Sequence, residues 1–559
     1  MVTAPHSAAG AGSGLRSGLT GPRAVALAAP LVVAALVMVN AWSGLMPGVG
    51  FWDTGEFQTV LPIMGTAHPT GYPTYVLLGF LGNILLTPIG EPAFRVTVLS
   101  LLAVATAAGA TVVLIRRLTG STIIGMATGV GLATTPVVWL NATRADPHPI
   151  HLMFVALLLL ALVRWEHGRK AVARGELDQA HADRRLVLAA VIFGLAEGNH
   201  SLTLLLAPPI ALYVLSVEPG VLKRPLFVAT CLAAAILTML VVFLELPIRG
   251  GLIPAPLVYG RPATWDGFWY IVFAQQFQGS VGDIFANLPQ KLDKIVALTS
   301  GQLGPLALSV PIAFIVSAWR APRYTLLTGA ALLITVLFNL SYANADIERY
   351  YLGPVLWAWT WLGIGAWSIV RLVRTFVTRG RAAEVVAEEG ASGGPGATPR
   401  SRLANGLAGG LALILAAVLV APGVAISTSS RLQADRSGDS YAGIWLRQTL
   451  ATVAPNAVIV SWWLTSTALW YGQFVEGQRP DVFVADDRTM LDQNLGGATD
   501  VVAKYLGRRP VYITRANGYD LGLVLALYDL RPVMTADGIQ IGNGSETLYQ
   551  VIGRRVASG

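Results

Sequence analysis

Eleven apolar runs punctuate this chain, and no other feature restricts its possible folds so severely. They lie near residues 24–45, 94–115, 119–140, 149–165, 186–198, 201–217, 226–247, 303–319, 324–342, 350–373 and 404–425. A backbone in hydrocarbon must satisfy its own polar groups, so each run has to be a helix. Composition agrees: of 559 residues, 54% are hydrophobic and 13% charged, where a soluble chain carries about 25% charged residues. Mean hydropathy is +0.59. The expected fold class is a polytopic α-helical membrane protein of about 11 transmembrane helices, with the lipid bilayer as its first partner.

A formal net charge of +8 would suit a nucleic-acid partner. The Arg and Lys instead form short clusters between apolar runs, as topology signals do, and no basic stripe with interleaved aromatics exists. Nucleic acid is therefore excluded as a partner. Cys231, the lone cysteine, lies inside an apolar run, so neither a disulfide framework nor a cysteine metal site is available. Residues 1–23 are rich in Gly, Ala and Ser and are expected to form a disordered cytoplasmic N-terminus. The run Ala24–Trp42 is long for a signal-peptide core and reads as a retained first span.

The stretch 72–88 decides the topology. At 1.5 Å per residue it reaches only about 25 Å, short of the roughly 30 Å hydrocarbon core. If it lies in the interface, six basic clusters share one side: Arg16/Arg23, Arg116/Arg117, the 164–185 loop, Lys223/Arg224, Arg320/Arg323 and 371–402. That is the positive-inside pattern. If it spans, every cluster after the first flips outward. We therefore place 72–88 as an interfacial or re-entrant helix. Segments 46–93, 140–148, 198–200, 248–302, 343–349 and everything after about 426 then face outward, and almost every unusual polar residue falls there. Such one-sidedness favours a reaction at the outer membrane–water boundary over a pore.

Segment 375–403, rich in Gly, Ala and Glu, reads as a flexible cytoplasmic linker before the last span at 404–425. Residues 438–559 change character. NAVIVSW (456–462), DVFVADD (481–487) and PVYITRA (510–516) are strand-like, with helical patterns at 464–476 and 497–507 between them. A small extracytoplasmic α/β domain is expected. Asp486 and Asp487, at the end of a strand-like run, read as a helix start or turn.

The first outer segment holds the densest chemistry. In FWDTGEFQTVLPIMGTAHPTGYPTY, Asp53 and Glu56 sit three apart, on one face if helical. They are either helix-capping acids or functional carboxylates, the latter being the default near lipid. Transfer to a hydroxyl acceptor needs a base, and an Asp at a wet interface is ionised for that task. His68 and Tyr72 either bind a sugar or phosphate or belong to a turn held by Pro69 and Pro73. In NATRADPHP, Arg144, Asp146 and His148 share a loop short enough to keep all three at the boundary, with an Arg144–Asp146 pair as the structural alternative. Glu197, Asn199 and His200 interrupt two apolar half-runs, which points to a cavity lining. Arg249 and Arg349 stand at the outer ends of spans, each beside a Glu that offers simple pairing. What unites these residues is a supply of cations for a leaving lipid phosphate. One Arg about 4 Å from the developing charge, at an effective dielectric of about 20, contributes on the order of 4 kcal/mol. Realised only in the transition state, that approaches a thousandfold in rate. Arg249 and Arg349 are best placed, and His200 is positioned to donate a proton.

DTGEF, AHPTGYPTY and EPAFRVTVLS together resemble a membrane family typified by D-S-G-E-F … H-P-P-G-Y-P … R-V-N-L-L-S, with Thr54, Thr70 and Thr97 as departures. GNHS, LPIRG and ERYY are similar to its later landmarks, so the resemblance runs over residues 24–375. Formerly a domain of unknown function, this family has eukaryotic members that are protein O-mannosyltransferases for plexin-type domains. The resemblance implies a GT-C glycosyltransferase fold over 24–374, with an acidic catalytic residue in the first outer loop and interfacial helices flanking the site. It also implies a polyprenyl-phosphate sugar as donor, with no metal or other cofactor. Carried over, the loop acid is Asp53. The expected activity is inverting transfer of a single sugar, mannose by resemblance, to a protein Ser/Thr or glycan hydroxyl at the outer face of the cytoplasmic membrane. Asp53 would be the base, Glu56 would orient the acceptor, and Arg249 or Arg349 with His200 would hold the phosphate. Two other classes stay open: a transporter or flippase, which predicts mid-bilayer ionisable residues and inverted repeats, and a scaffold whose outer domain binds partners.

Overall fold

The computed structural model describes residues 22–379, 399–514 and 519–555. The N-terminal segment before 22 and most of the 375–403 linker lie outside the described residues.

All eleven expected segments are helical, but they are not eleven equal spans. Among the described residues, eight helices are long and apolar enough to cross a membrane, beginning with α1 (Pro22–Trp42), whose stretch Ala24–Trp42 qualifies. The expected run 119–140 is a broken pair, Thr122–Ala133 and Pro136–Ala142, bent by 67°. Pro136 explains the break, since its ring forbids a continuous helix and pushes Thr135 into extended backbone. The expected run 186–198 is the apolar half of Gln179–Asn199, whose first turns carry Asp183, Arg184 and Arg185. Residues 201–217 start as a 3-10 turn and continue as a short α-helix. The run expected at 303–319 starts earlier, within a 33-residue stretch, Leu288–Arg320.

The outer segment 46–93 contains α2 (Trp52–Ile63) and α3 (Pro73–Leu85), followed by α4 (Pro92–Thr119). At 13 residues, α3 extends only about 20 Å, too short to span, in accord with its interfacial placement. Leu78, Leu81, Ile84 and Leu85 on it are exposed. Ahead of α3, Gly71 adopts φ +79 and Tyr72 φ 50, and Pro73 starts the helix, so HPTGYP reverses the chain. Helix α4 is the centre of the bundle, packing against α1, Thr122–Ala133 and Pro147–Ala173.

The C-terminal domain is a five-stranded mixed sheet in the order β2-β1-β3-β5-β4. Strands β1 (Val458–Val460), β2 (Phe483–Ala485) and β3 (Val511–Ile513) are parallel and lie inside the three strand-like runs. Strands β4 (Tyr528–Pro532) and β5 (Tyr549–Arg554) add an antiparallel edge that the sequence reading did not foresee. Asp486 caps the next helix by accepting from the Thr489 amide. This domain seats directly on the segment 46–93. Val49, Ala93 and Leu257 join its core around Trp445, Trp470 and Tyr471, the Thr467 carbonyl accepts from the Thr59 hydroxyl, and the Tyr471 hydroxyl accepts from the Ala93 amide.

That contact explains the glycine of DTGEF. A Cβ at Gly55 would stand 2.2 Å from the Gly50 carbonyl oxygen and 2.8 Å from Thr467 Oγ1. Gly55→Ala is therefore expected to destabilise the protein by about 2 kcal/mol through forced backbone displacement, read as a lowered melting temperature of the detergent-solubilised protein. Unchanged melting would disprove the tight seat.

Candidate active site

The ends of five helices expected to face outward meet around one cavity of about 570 Å³. Asp53, His68, Tyr72, His148, His200 and Arg349 all line it. These six residues are up to 296 positions apart in sequence, so the cavity exists only because the bundle brings their ends together.

At its centre is the Arg349 guanidinium, 13% exposed, in a 3-10 turn ahead of a long helix. It contacts Asp53 Oδ2 at 3.3 Å, Asp146 Oδ2 at 3.2 Å and Asp346 Oδ2 at 3.3 Å. Asp53 lies in the first turn of α2, where the helix dipole favours a negative charge. Its other oxygen, Oδ1, accepts from the Trp463 indole N–H at 3.1 Å, a group from the C-terminal domain. Burial would raise the Asp53 carboxyl, but the charges of His68 and Arg349 and the indole N–H outweigh it and hold the group below the usual carboxylate range. Asp53 is thus an ionised, oriented carboxylate, with 32% of its side chain open.

Glu56, one turn on, is 1% exposed. It accepts from both the backbone N–H and Nδ1 of His68, and His68 Nε2 lies 3.1 Å from the Tyr72 hydroxyl. Burial raises Glu56; it also works against a charged His68, but the Glu56 and Asp53 carboxylates overcome this and lift the imidazole above its ordinary value. Glu56 does not line the Asp53 cavity. Its oxygens accept from His68, which it fixes against Tyr72, and its side chain lines an adjoining cavity.

The opposite wall is built of histidines. The rings of His148 and His200 are 4.7 Å apart, with His151 and Tyr350 beside them. His148 Nδ1 donates to Asp146 Oδ1 at 2.7 Å. His200 Nδ1 accepts from the Leu202 amide at 3.2 Å, so in the neutral ring Nε2 carries the hydrogen. Burial, with His148 and His151 nearby, keeps the His200 pKa well below the ordinary value. His200 therefore presents an N–H as a neutral donor, where the sequence reading had it releasing a proton. The Nε2 atoms of both His148 and His200 are buried without a hydrogen-bond partner.

Two expected phosphate cations are placed elsewhere. Arg249 donates to the Met64 and Ile63 carbonyls at 2.8 and 3.1 Å, closing the C-terminal end of α2. Arg144 contacts Asn141 Oδ1 at 3.3 Å and Asp146 Oδ2 at 3.5 Å, the structural pairing that its sequence allowed. Neither lines the cavity. Conversely, Trp463, Asp346 and Tyr350 were not singled out. The aromatic pair of SWWLTS, directly after a strand-like run, was the one sequence signal that pointed to Trp463.

Asp146 is 2% exposed, and although burial would raise it, His148, Arg349 and Arg144 hold it far below the usual carboxylate range. A depressed folded pKa stabilises the protein above the unfolded value near 4, and the contribution is lost as pH falls through the folded value. Asp146→Asn is expected to lose on the order of 3 kcal/mol at neutral pH, because buried cations lose their counter-charge. Urea unfolding of wild type and variant across acidic pH checks this: the gap should begin to narrow as pH falls below about 4 and keep closing toward stronger acid.

Residues 53–221 match the family described as the protein O-mannosyl-transferase TMEM260 N-terminal domain. Protein O-mannosyl-transferase TMEM260 of Mus musculus is 28% identical over 232 residues, which is 40% of this chain and 31% of that protein. The match thus spans under a third of that relative's length. Among solved structures, ArnT from Cupriavidus metallidurans bound to undecaprenyl phosphate superposes with a TM-score of 0.56 at 16% identity, over 95% of this chain and 99% of ArnT. Its apo form gives 0.54 at 15% identity, over 93% and 97%. At such identities the agreement concerns the fold, and it extends over nearly the whole chain. The resemblance seen in the loop motifs therefore holds: this chain is a multi-pass membrane protein of GT-C fold whose residues 53–221 match the N-terminal domain of the TMEM260 family.

Proposed function

We propose that the protein is an inverting glycosyltransferase that moves one sugar, mannose, from a polyprenyl phosphate to a hydroxyl acceptor on the outer side of the cytoplasmic membrane. The observation that carries this reading is the Asp53 carboxylate, fixed by Arg349 and Trp463 and open to a cavity whose far wall bears unpartnered histidine nitrogens. TMEM260 is named an O-mannosyl-transferase, and ArnT was solved with undecaprenyl phosphate, which supports the choice of sugar and donor.

In this reading, Asp53 accepts the proton of the acceptor hydroxyl as its oxygen bonds to the anomeric carbon. The bond from that carbon to the phosphate oxygen breaks, and its electron pair leaves with the polyprenyl phosphate. Attack opposite the leaving group inverts the anomeric centre. The phosphate sits at the histidine wall. Arg349 already faces three carboxylates, so an incoming anion needs a further donor, and His200 Nε2–H supplies it. His148, whose Nδ1 hydrogen goes to Asp146, packs against its ring. Arg349 lies between base and leaving group and answers to both. Glu56 and His68 hold Tyr72 at the sugar. No metal is invoked: Arg349 supplies the positive charge and His200 a neutral N–H.

Three measurements test it. Asp53→Asn should lower transfer from a polyprenyl-phosphate mannose by about a thousandfold while undecaprenyl phosphate still binds; full activity in a folded variant would refute the base. Because Asp53 is depressed by its partners, wild-type activity should hold to well below pH 5, and Trp463→Phe, lacking the indole N–H, should move the acid limb upward. Chelation with EDTA should leave the rate unchanged, and a loss restored by a divalent cation would overturn the metal-free reading.

A further inference from the structure

Trp52 directly precedes the proposed base, and nothing in the proposed chemistry uses it. Its backbone has φ 57, in the left-handed region where a bulky side chain is an outlier. Its side chain is 49% exposed. A conformation that costs stability and leaves half an indole in water does nothing for folding, and such strain persists only where the surroundings impose it.

Here both flanks are fixed. Ahead of Trp52, the Gly50 amide donates to Gln58 Oε1 at 2.7 Å, and Phe51 packs edge-on against Tyr441 and Trp445 of the C-terminal domain. Behind it, Asp53 is tied to Arg349 and Trp463. The chain turns from extended Phe51 into α2 at residue 52. Tyr72 at φ 50 and Ala274 at φ 47 line the same cavity, so left-handed backbone gathers at this site.

The Trp52 ring lines the Asp53 cavity and meets the Trp462 ring edge-on, with centroids 5.0 Å apart. That contact places it on the C-terminal-domain side of the carboxylate. Trp463, whose indole N–H binds Asp53 Oδ1, and Tyr259, its ring 6.0 Å from that of Trp463, continue the same wall. The other carboxylate oxygen faces Arg349, and from there Asp146 leads to His148 and His200. Asp53 thus stands between an aromatic wall and a histidine wall.

We propose that Trp52 is the acceptor platform of the reaction, its exposed indole face packing against the atoms that carry the attacking hydroxyl. The inference rests on the glycosyltransferase reading, in which the leaving phosphate takes the histidine wall. Inverting attack comes from the side opposite the leaving group, and that side is the aromatic wall. A carboxylate binds one hydroxyl but does not fix the rest of the acceptor. A flat apolar face beside it sheds water onto the acceptor's approach and restricts that approach to one direction. Trp52 sets position, and Asp53 takes the proton.

Trp52→Gly separates this role from a structural one, because glycine adopts positive φ without strain. A tryptophan kept only for packing would cost stability when removed. A platform on a strained backbone gives the opposite pair: an unchanged or higher melting temperature, with transfer lowered about tenfold or more. Transfer is measured well below the melting temperature with the purified full-length protein. Polyprenyl-phosphate mannose is the donor, a detergent extract of membranes from a strain lacking the protein is the acceptor, and each is varied in turn. The loss should appear as a higher half-saturating amount of extract with the donor KM unchanged, and Trp52→Phe, which restores a ring, should recover most of it. If the glycine variant does not fold, Trp52→Asn, which tolerates the left-handed region, should show the same acceptor defect. Transfer equal to the wild type in a folded variant lacking the ring overturns the proposal. So does a raised donor KM with acceptor dependence unchanged, which would assign the ring to the donor sugar. Failure of the transferase reading would look different: the wild type itself would show no Asp53-dependent transfer, and the platform would fall with it.

Discussion

A buried guanidinium cannot be left without counter-charge, and the half of this molecule that carries the cavity is arranged around satisfying one. Arg349 joins Asp53 on α2, Asp146 ahead of Pro147–Ala173, and Asp346 in its own loop. Removing any one partner leaves charge stranded in a medium that penalises it, so the helix ends that carry these residues are held in one relative position. The same contacts give the site its chemistry. A carboxylate held by a cation and an indole N–H is ionised and has a fixed direction, which a proton acceptor needs before the substrate arrives.

The C-terminal domain is part of this arrangement. Its Trp463 reaches the acid, its Thr467 backs onto the glycine of the loop motif, and its Tyr471 holds the start of α4. A membrane bundle and an α/β domain that sequence composition separates cleanly thus share one functional surface. Gly55 is the point where that sharing becomes a steric demand, since only a residue without Cβ fits between the Gly50 carbonyl and Thr467.

Much of the fold was legible because the bilayer imposes a simple code. Apolar length marked each helical run, and the shortness of α3 kept it from being read as a span. Three parallel strands were visible in their β-branched runs. The antiparallel edge was not, because β4 follows directly on the helix Tyr519–Leu527 and carries Asp529 and Arg531 where a strand signal would be apolar. Asp53, His68, Tyr72, His148, His200 and Arg349 were all named from sequence and share one cavity. Arg249 and Arg144 did not join them: an outer-end position tells where a cation sits along the membrane normal, not which way its side chain turns.

The sequence by itself determined which segments are apolar helices and which loop carries the acids, since each depends on local composition and order along the chain. Only the tertiary structure decided which charges meet. Arg349 bridges Asp53 and Asp146, Glu56 turns away to His68, and an indole more than four hundred residues downstream orients the carboxylate. Pairing energies depend on distances of a few ångströms between groups far apart in sequence, and those distances are set by helix packing that no single segment encodes.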